Sequence, residues 1–352
     1  MRTQLLLIAA TLLVSCGGNK SKLYKPELLG GKPLPEGYVS PDGLAIGPGG
    51  YIYVAINQSG GNWKYPGKIA RISPDDQIED FFTLPVNSTT GVSSPLGITF
   101  ARDGNLYVSE NQSFATDAPN MAGVTRVVIE DGKPVRGELV VDGFNMSNGI
   151  TAWKDAIYVV ETNLGTKNKH TSGVYRFTLD ELKSGDTIRV KGHGDPHLIL
   201  AFETRNKQHP VGANGLAFDS KGNLYVNNFG DVEVLKYRIE EHGNHIHVRP
   251  EGVLCQPEGM LSLDGMQIDR DDYIWTTDFR NNSVCRINTR TGESEIIAHN
   301  DVPAAGEKGE LDAPSECIRR GSKVYVSNID TDYDNSQIAD PIQTISVITL
   351  KE

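Results

Sequence analysis

Apolar and polar positions along the chain fall into one recurring pattern. A polar residue and a Gly precede a short apolar strand, a tight turn, and a second strand rich in Tyr and Val. ANGLAFDSKGNLYVNNFG, from Ala213, is one instance. The others are SPDGLAIGPGGYIYVAINQ from Ser40, SPLGITFARDGNLYVSENQ from Ser94, SNGITAWKDAIYVVETN from Ser147, LDGMQIDRDDYIWTTDFR from Leu263 and PSECIRRGSKVYVSNID from Pro314. Anchored on Gly43, Gly97, Gly149, Gly215, Gly265 and Glu316, the units are spaced by 54, 52, 66, 50 and 51 residues. Each unit also holds a candidate third strand (KIARIS, GVYRFTL, SVCRINT) and fourth (ELVVDGF, HLILAF).

Gly and Pro turns interrupt the chain throughout, with no helical period. Six units of four short strands predict an all-β fold, a six-bladed β-propeller with four-stranded antiparallel blades. The last unit has only three strands (ECIRR, KVYVSN, TISVITL). The segment PELLGGKPLPEG before the first unit is expected to supply the fourth, so that residues 24–36 close the last blade and leave no open edge.

The 352 residues carry 34 Lys and Arg against 45 Asp and Glu, a net charge of −11. That balance argues against a nucleic-acid partner, which needs a basic surface. No basic amphipathic helix suits a membrane surface. The N-terminus, MRTQLLLIAATLLVSC, has one positive residue and an apolar run too short to span a bilayer, and so reads as a secretory leader. Its end resembles a bacterial lipobox. The expected division is therefore a lipoprotein signal peptide over 1–16, lipidation at Cys16, a polar tether over 17–25, and the propeller over 26–352. Gly17 and Gly18 offer no acidic residue after Cys16, which favours the outer membrane facing the periplasm as the site of anchoring.

Cys255, Cys285 and Cys317 form no CxxC and read as buried thiols rather than a disulfide framework or zinc site, a single disulfide among them being left open. The eight histidines show no ligand spacing, and EEHGNHIHV reads as an exposed hairpin. No GxSxG, P-loop or dinucleotide fingerprint is present.

In a propeller the first strand of each blade lines the central channel, and two sets of positions converge on one mouth. The first precedes the anchors: Asp42, Leu96, Asn148, Asn214, Asp264 and Ser315. Taken singly, Asn-Gly and Asp-Gly are turn dipeptides. Together, two carboxylates (Asp42, Asp264) and two amides (Asn148, Asn214) make an all-oxygen cage of charge −2. That suits a hard cation taking six to eight oxygens, Ca2+ best, with other divalent cations as alternatives. The second set follows the YVxx strands. It offers Asn57, Glu110, Glu161, Asn228, Asp278 and Arg280 as candidate substrate-pocket residues, solvated loop entrances being the plain alternative. Trp63, Phe114, Phe229 and Phe279 fall in or near the same loops and could wall a pocket or pack between blades.

SNGITAW, ANGLAFDSKGNLYV, LDGMQIDRDDYIWTTDF and APSECIRRGSKVYVSNID resemble, in order, the blade signatures of the senescence marker protein/gluconolactonase (regucalcin-like) family. The resemblance runs from about Gly37 onward. It implies a six-bladed propeller with one catalytic divalent metal at the channel mouth, held by a blade-one carboxylate, two asparagines and an aspartate. These fall on Asp42, Asn148, Asn214 and Asp264, with Asp42 replacing the family's usual Glu. Met146 stands where the family's sugar lactonases place a substrate-contacting Arg.

The expected function is thus calcium-dependent hydrolysis of a lactone or related ester, with Asp264, Asn214 and Asn148 as catalytic residues and a small lactone, ester or sugar derivative as substrate. Asp264 would ligate the metal or act as general base, with Glu110, Glu161 and Asp278 in reserve. The alternative is a non-catalytic, envelope-anchored propeller that binds a sugar or peptide around a structural ion. Lyase or isomerase chemistry at the same ion is a third expectation.

Overall fold

The computed structural model describes residues 23–165, 170–242, 245–333 and 337–351. Six sheets carry the chain around one axis. Their innermost strands are Pro41–Ile46, Pro95–Phe100, Ser147–Trp153, Ala213–Phe218, Met266–Ile268 and Pro314–Arg320. All six repeats therefore supply inner strands, in sequence order. The second strands, such as Leu106–Glu110 and Asn223–Asn228, are buried along their whole length. This accounts for the absence of polar–apolar alternation in their Leu-Tyr-Val centres, because each lies between two neighbouring blades and has no solvent face.

A hydrophobic core fills each seam. Ile98 and Val108 of blade two pack with Tyr53 and Ala55 of blade one, and the sixth seam joins Ile318 and Tyr325 to Leu44 and Val54. That last seam is closed as expected. Glu27–Leu28 pairs antiparallel with Ile345–Thr349, Glu27 opposite Val347, and forms the outer strand of blade six. Blade two departs from four strands, since Ile188–Arg189, contributed by the blade-three excursion, adds a fifth that runs parallel to Val141 and Asp142.

EEHGNHIHV spans a long hairpin, Glu233–His242 with His245–Cys255. Cys255, Cys285 and Cys317 are all free, but only Cys285 and Cys317 are buried. Cys255 is half-buried because it lies on an outer strand, at the edge of the core between blades four and five. Residues 1–22, with Cys16 and most of the tether, lie outside the described residues. Among the described residues no helix is long and apolar enough to cross a membrane.

Candidate functional site

The Asx-Gly dipeptides are not turns. In blades one, two, three, four and six the inner strand carries one extra residue against its partner at this point, for example between Ala213 and Leu216 opposite Asn228 and Val226. Such a bulge re-aims a side chain out of the regular alternation. The Gly has a separate cause. A Cβ on Gly43 would lie 2.2 Å from the Leu96 carbonyl oxygen, and one on Gly149 would lie 2.3 Å from that of Asn214. The inner strands touch backbone to backbone here, and five glycines close the waist of the channel.

Asp42, Asn148 and Asn214 line that waist together with Glu316. The waist cavity is about 10 Å³, room for roughly one water-sized sphere. Asp264 precedes Gly265 on the same rim, and the Asn214 side chain hydrogen-bonds its carboxyl. Burial pushes Asp42 up to about 7. Burial first, and then the Asp42 charge, holds Asp264 well above the ordinary carboxylate range, against the pull of Asn214. Among the described residues no Lys, Arg or His lines the waist. Among the described residues no three His, Cys, Asp or Glu side chains are grouped as a ready metal set; two of the four ring side chains are amides.

The second set of positions serves mainly to brace loops. Glu110 Oε2 accepts from the Ser94 N–H at 2.9 Å. Glu161 accepts from the N–H groups of Asn145 and Met146 at 2.7 and 2.9 Å. Asp278 accepts from the Leu261 N–H and the Ser262 hydroxyl, and Arg280 donates to the Leu261 carbonyl. Asn228 Oδ1 accepts from the Thr204 hydroxyl. Glu110, Glu161, Asp278 and Arg280 hold the loops that lead into their own blades' inner strands, whereas Asn228 ties blade four to the end of blade three's outer strand. Burial raises Glu110 and Glu161 to about 7 and raises Asp278 as well. Glu110 Oε1 alone among these carboxylate oxygens has no partner, and it faces a separate cavity of about 490 Å³ with Thr125 and Asp142. Asn57 is fully buried and ties blade one to blade two, donating to Ser94 Oγ and the Pro95 carbonyl.

In three blades the residue after the second strand enters an apolar cluster. In blades four, five and six that residue is Phe229, Phe279 and Ile329, which cluster with Leu96 and Ala313. Residues of blades two, four, five and six therefore meet as an apolar plug over the ring. Tyr333 packs edge-on to Phe279, ring centres 5.3 Å apart. Phe114 is exposed, and Trp63 lies outside the plug. The roomier end of the channel is the opposite one. There a cavity of about 570 Å³ is lined by Ile98, Ile150, Ile268 and Ile318, with Arg319 neutralised by Asp269 and Arg320 by Asp76.

Sequence reasoning passed over Glu316. The signal was present: the sixth repeat carries a carboxylate where the other five carry Gly.

Fold and ring together define a six-bladed propeller with a polar centre at one waist of its channel. Within that class, residues 164–306 match the family model for the SMP-30/gluconolactonase/LRE-like region. No curated protein matches the sequence. Among solved structures, the chain is similar to a gluconolactonase from Xanthomonas campestris, at 16% identity over 93% of this chain and 95% of that one, TM-score 0.56. It is also similar to a luciferin-regenerating enzyme (14%, 93% and 95%, TM-score 0.58). A PQQ-bound aldose sugar dehydrogenase from Streptomyces coelicolor is similar to the same degree (18%, 92% and 98%, TM-score 0.56). At these identities the likeness carries the fold alone.

Proposed function

We propose that the protein is a metal-dependent hydrolase of lactones or related esters, with calcium as the ion that best suits its ring. The carrying observation is the convergence of Asp42, Asn148, Asn214 and Asp264 at one waist, lined among the described residues by no cationic side chain. Buried carboxyls without a counter-charge are costly, and an all-oxygen set fits a hard cation. Zinc would want the His or Cys that the ring lacks. When bound, such an ion polarises a carbonyl oxygen and favours the oxyanion of the tetrahedral intermediate.

The chain's own residues supply the rest. Asp42 and Asp264 hold the ion, and Asn148 and Asn214 orient ion and substrate without titrating. Asp264 would take the proton of the attacking water, its burial offsetting the pull of the ion on its basicity. The match of residues 164–306 to a gluconolactonase-like region supports this chemistry over the dehydrogenase chemistry of other propellers. Met146, in place of a sugar-contacting Arg, turns the expected substrate away from sugar lactones.

A second reading has its own observation. The waist admits about one water, and Phe229, Phe279 and Ile329 plug its mouth. This favours a non-catalytic propeller with a structural ion, binding a sugar or peptide elsewhere. A panel of lactones, aryl esters and phosphotriesters, assayed with and without chelator, separates the two. Chelator-sensitive turnover supports the hydrolase. No turnover, with ligand binding untouched by chelation, supports the second reading.

In either case the propeller is proposed to face the periplasm, tethered to the outer membrane by a lipid on Cys16. Incorporation of labelled palmitate, lost in Cys16→Ala, is the expected result.

A further inference from the structure

Glu316 occupies a place no other blade fills. The waist is closed by glycines because the inner strands touch, and only blade six carries a side chain at the glycine position. A Cβ on Gly265 would lie 2.8 Å from that of Glu316. The carboxyl is buried and lines the same small cavity as Asp42, Asn148 and Asn214.

Its orientation is fixed from two sides. Oε2 accepts from the Leu44 N–H of blade one at 2.6 Å, and Oε1 accepts from Gln267 Nε2 of blade five at 2.7 Å. Gln267 also donates to the Leu44 carbonyl at 2.9 Å, so the three groups lock together beneath the ring. One hydrogen bond per oxygen leaves acceptor capacity unused. Among the described residues Glu316 forms no ion pair with Lys, Arg or His. Burial and the Asp42 charge raise its affinity for a proton.

We propose that Glu316 is an outer-sphere charge that tightens the ring's hold on its cation and shifts preference toward ions of higher charge. This rests on Asp42, Asn148, Asn214 and Asp264 being the ion's ligands. Glu316 is not grouped with Asp42 and Asp264 as a direct ligand set. It acts through the field across the low-dielectric waist, where a fixed charge is poorly screened. With it, the carboxylates at the waist number three rather than two. They overbalance a divalent ion by one charge and match a trivalent one.

The test is titration of Ca2+ and Tb3+ into the wild-type protein and Glu316→Gln by calorimetry, with Asp264→Asn marking the ring. Outer-sphere partners are worth about 10- to 100-fold in metal affinity. Glu316→Gln is therefore expected to bind Ca2+ about 10- to 100-fold more weakly and to lose still more for Tb3+. Glu316→Asp, which keeps the charge, should recover most of the affinity. Glu316→Ser serves as a second neutral variant if the glutamine fails to fold, and circular dichroism reports folding for each. Equal affinities in wild type and the neutral variants would overturn the role of Glu316 and leave the ring intact. A folded wild type that binds neither ion would overturn the ring itself.

Discussion

Asn227 of blade four donates its side-chain amide to the backbone carbonyl of Asp264 in blade five, at 2.7 Å. The same nitrogen reaches Thr276 Oγ1 at 2.8 Å. Asn227, at the end of blade four's second strand, thus positions the next ring residue along. Asn227→Ala takes this donor from Thr276 Oγ1 and leaves the Asp264 carbonyl with only the Gly215 N–H, at a cost of about 1–3 kcal/mol. It also frees the rim that carries Asp264. The expected result is a lower midpoint in urea unfolding together with weaker calcium binding. Unchanged calcium affinity would remove Asn227 from the support of the site.

Proton linkage gives a second test. Asp42 is raised to about 7, Glu316 to about 8, and Asp264 well above its ordinary range, all chiefly by burial. Without an ion, the folded protein therefore binds more protons than the unfolded chain from about pH 4 upward. That stabilisation is complete below the unfolded values and is lost as pH rises through about 8. Calcium replaces the protons, so the loss should shrink when it is present. Melting temperatures from pH 4.5 to 8.5 are expected to fall in chelator and to fall less in calcium. Glu110 and Glu161 add the same slope to both series, so the difference between them reports the ring. Parallel curves would contradict an ion at the waist.

The glycine waist is tested by Gly149→Ala. Its new Cβ would meet the Asn214 carbonyl oxygen at 2.3 Å, and backbone in a closed ring has little room to yield. A loss of about 3 kcal/mol or more is expected, in line with overpacking and strain at a close contact. Gly104→Ala, where nothing lies within 4 Å, should cost only the strain of its positive φ, about 1 kcal/mol. Similar unfolding midpoints for the two would show that the waist is not tightly closed.

Phe279→Ala removes the central ring of the plug, which packs against both Phe229 and Tyr333. Truncation of a buried Phe costs about 3–5 kcal/mol. The informative readout is ion exchange. Calcium release into excess chelator, followed by stopped flow, should become faster than in wild type. An unchanged rate would place the ion's exit at the other end of the channel.

Much of this was legible in the sequence because a propeller repeats its chemistry. Six Asx-Gly or related anchors, six YVxx strands and a three-stranded last repeat fixed blade number, ring positions and N-terminal closure. The rest depended on register at the ends of the second strands. Glu110, Glu161 and Asp278 look like mouth residues, yet they turn back to brace the loops feeding their own inner strands. In the later blades the residue that follows the second strand, Phe229, Phe279 or Ile329, joins the apolar cluster instead. A one-residue offset of that kind has no signature in a polar–apolar pattern when both faces of the strand are buried. Ile188–Arg189 was hidden for a different reason, since two residues are too few to show any period.

The most direct test is lactone hydrolysis by the metal-depleted protein before and after calcium is restored, with Asp264→Ala alongside. The expected result is turnover of at least one lactone that vanishes on chelation, returns with calcium and is absent from the folded variant. Turnover that is indifferent to chelator, or undiminished in Asp264→Ala, would contradict a metal-dependent hydrolase built on this ring.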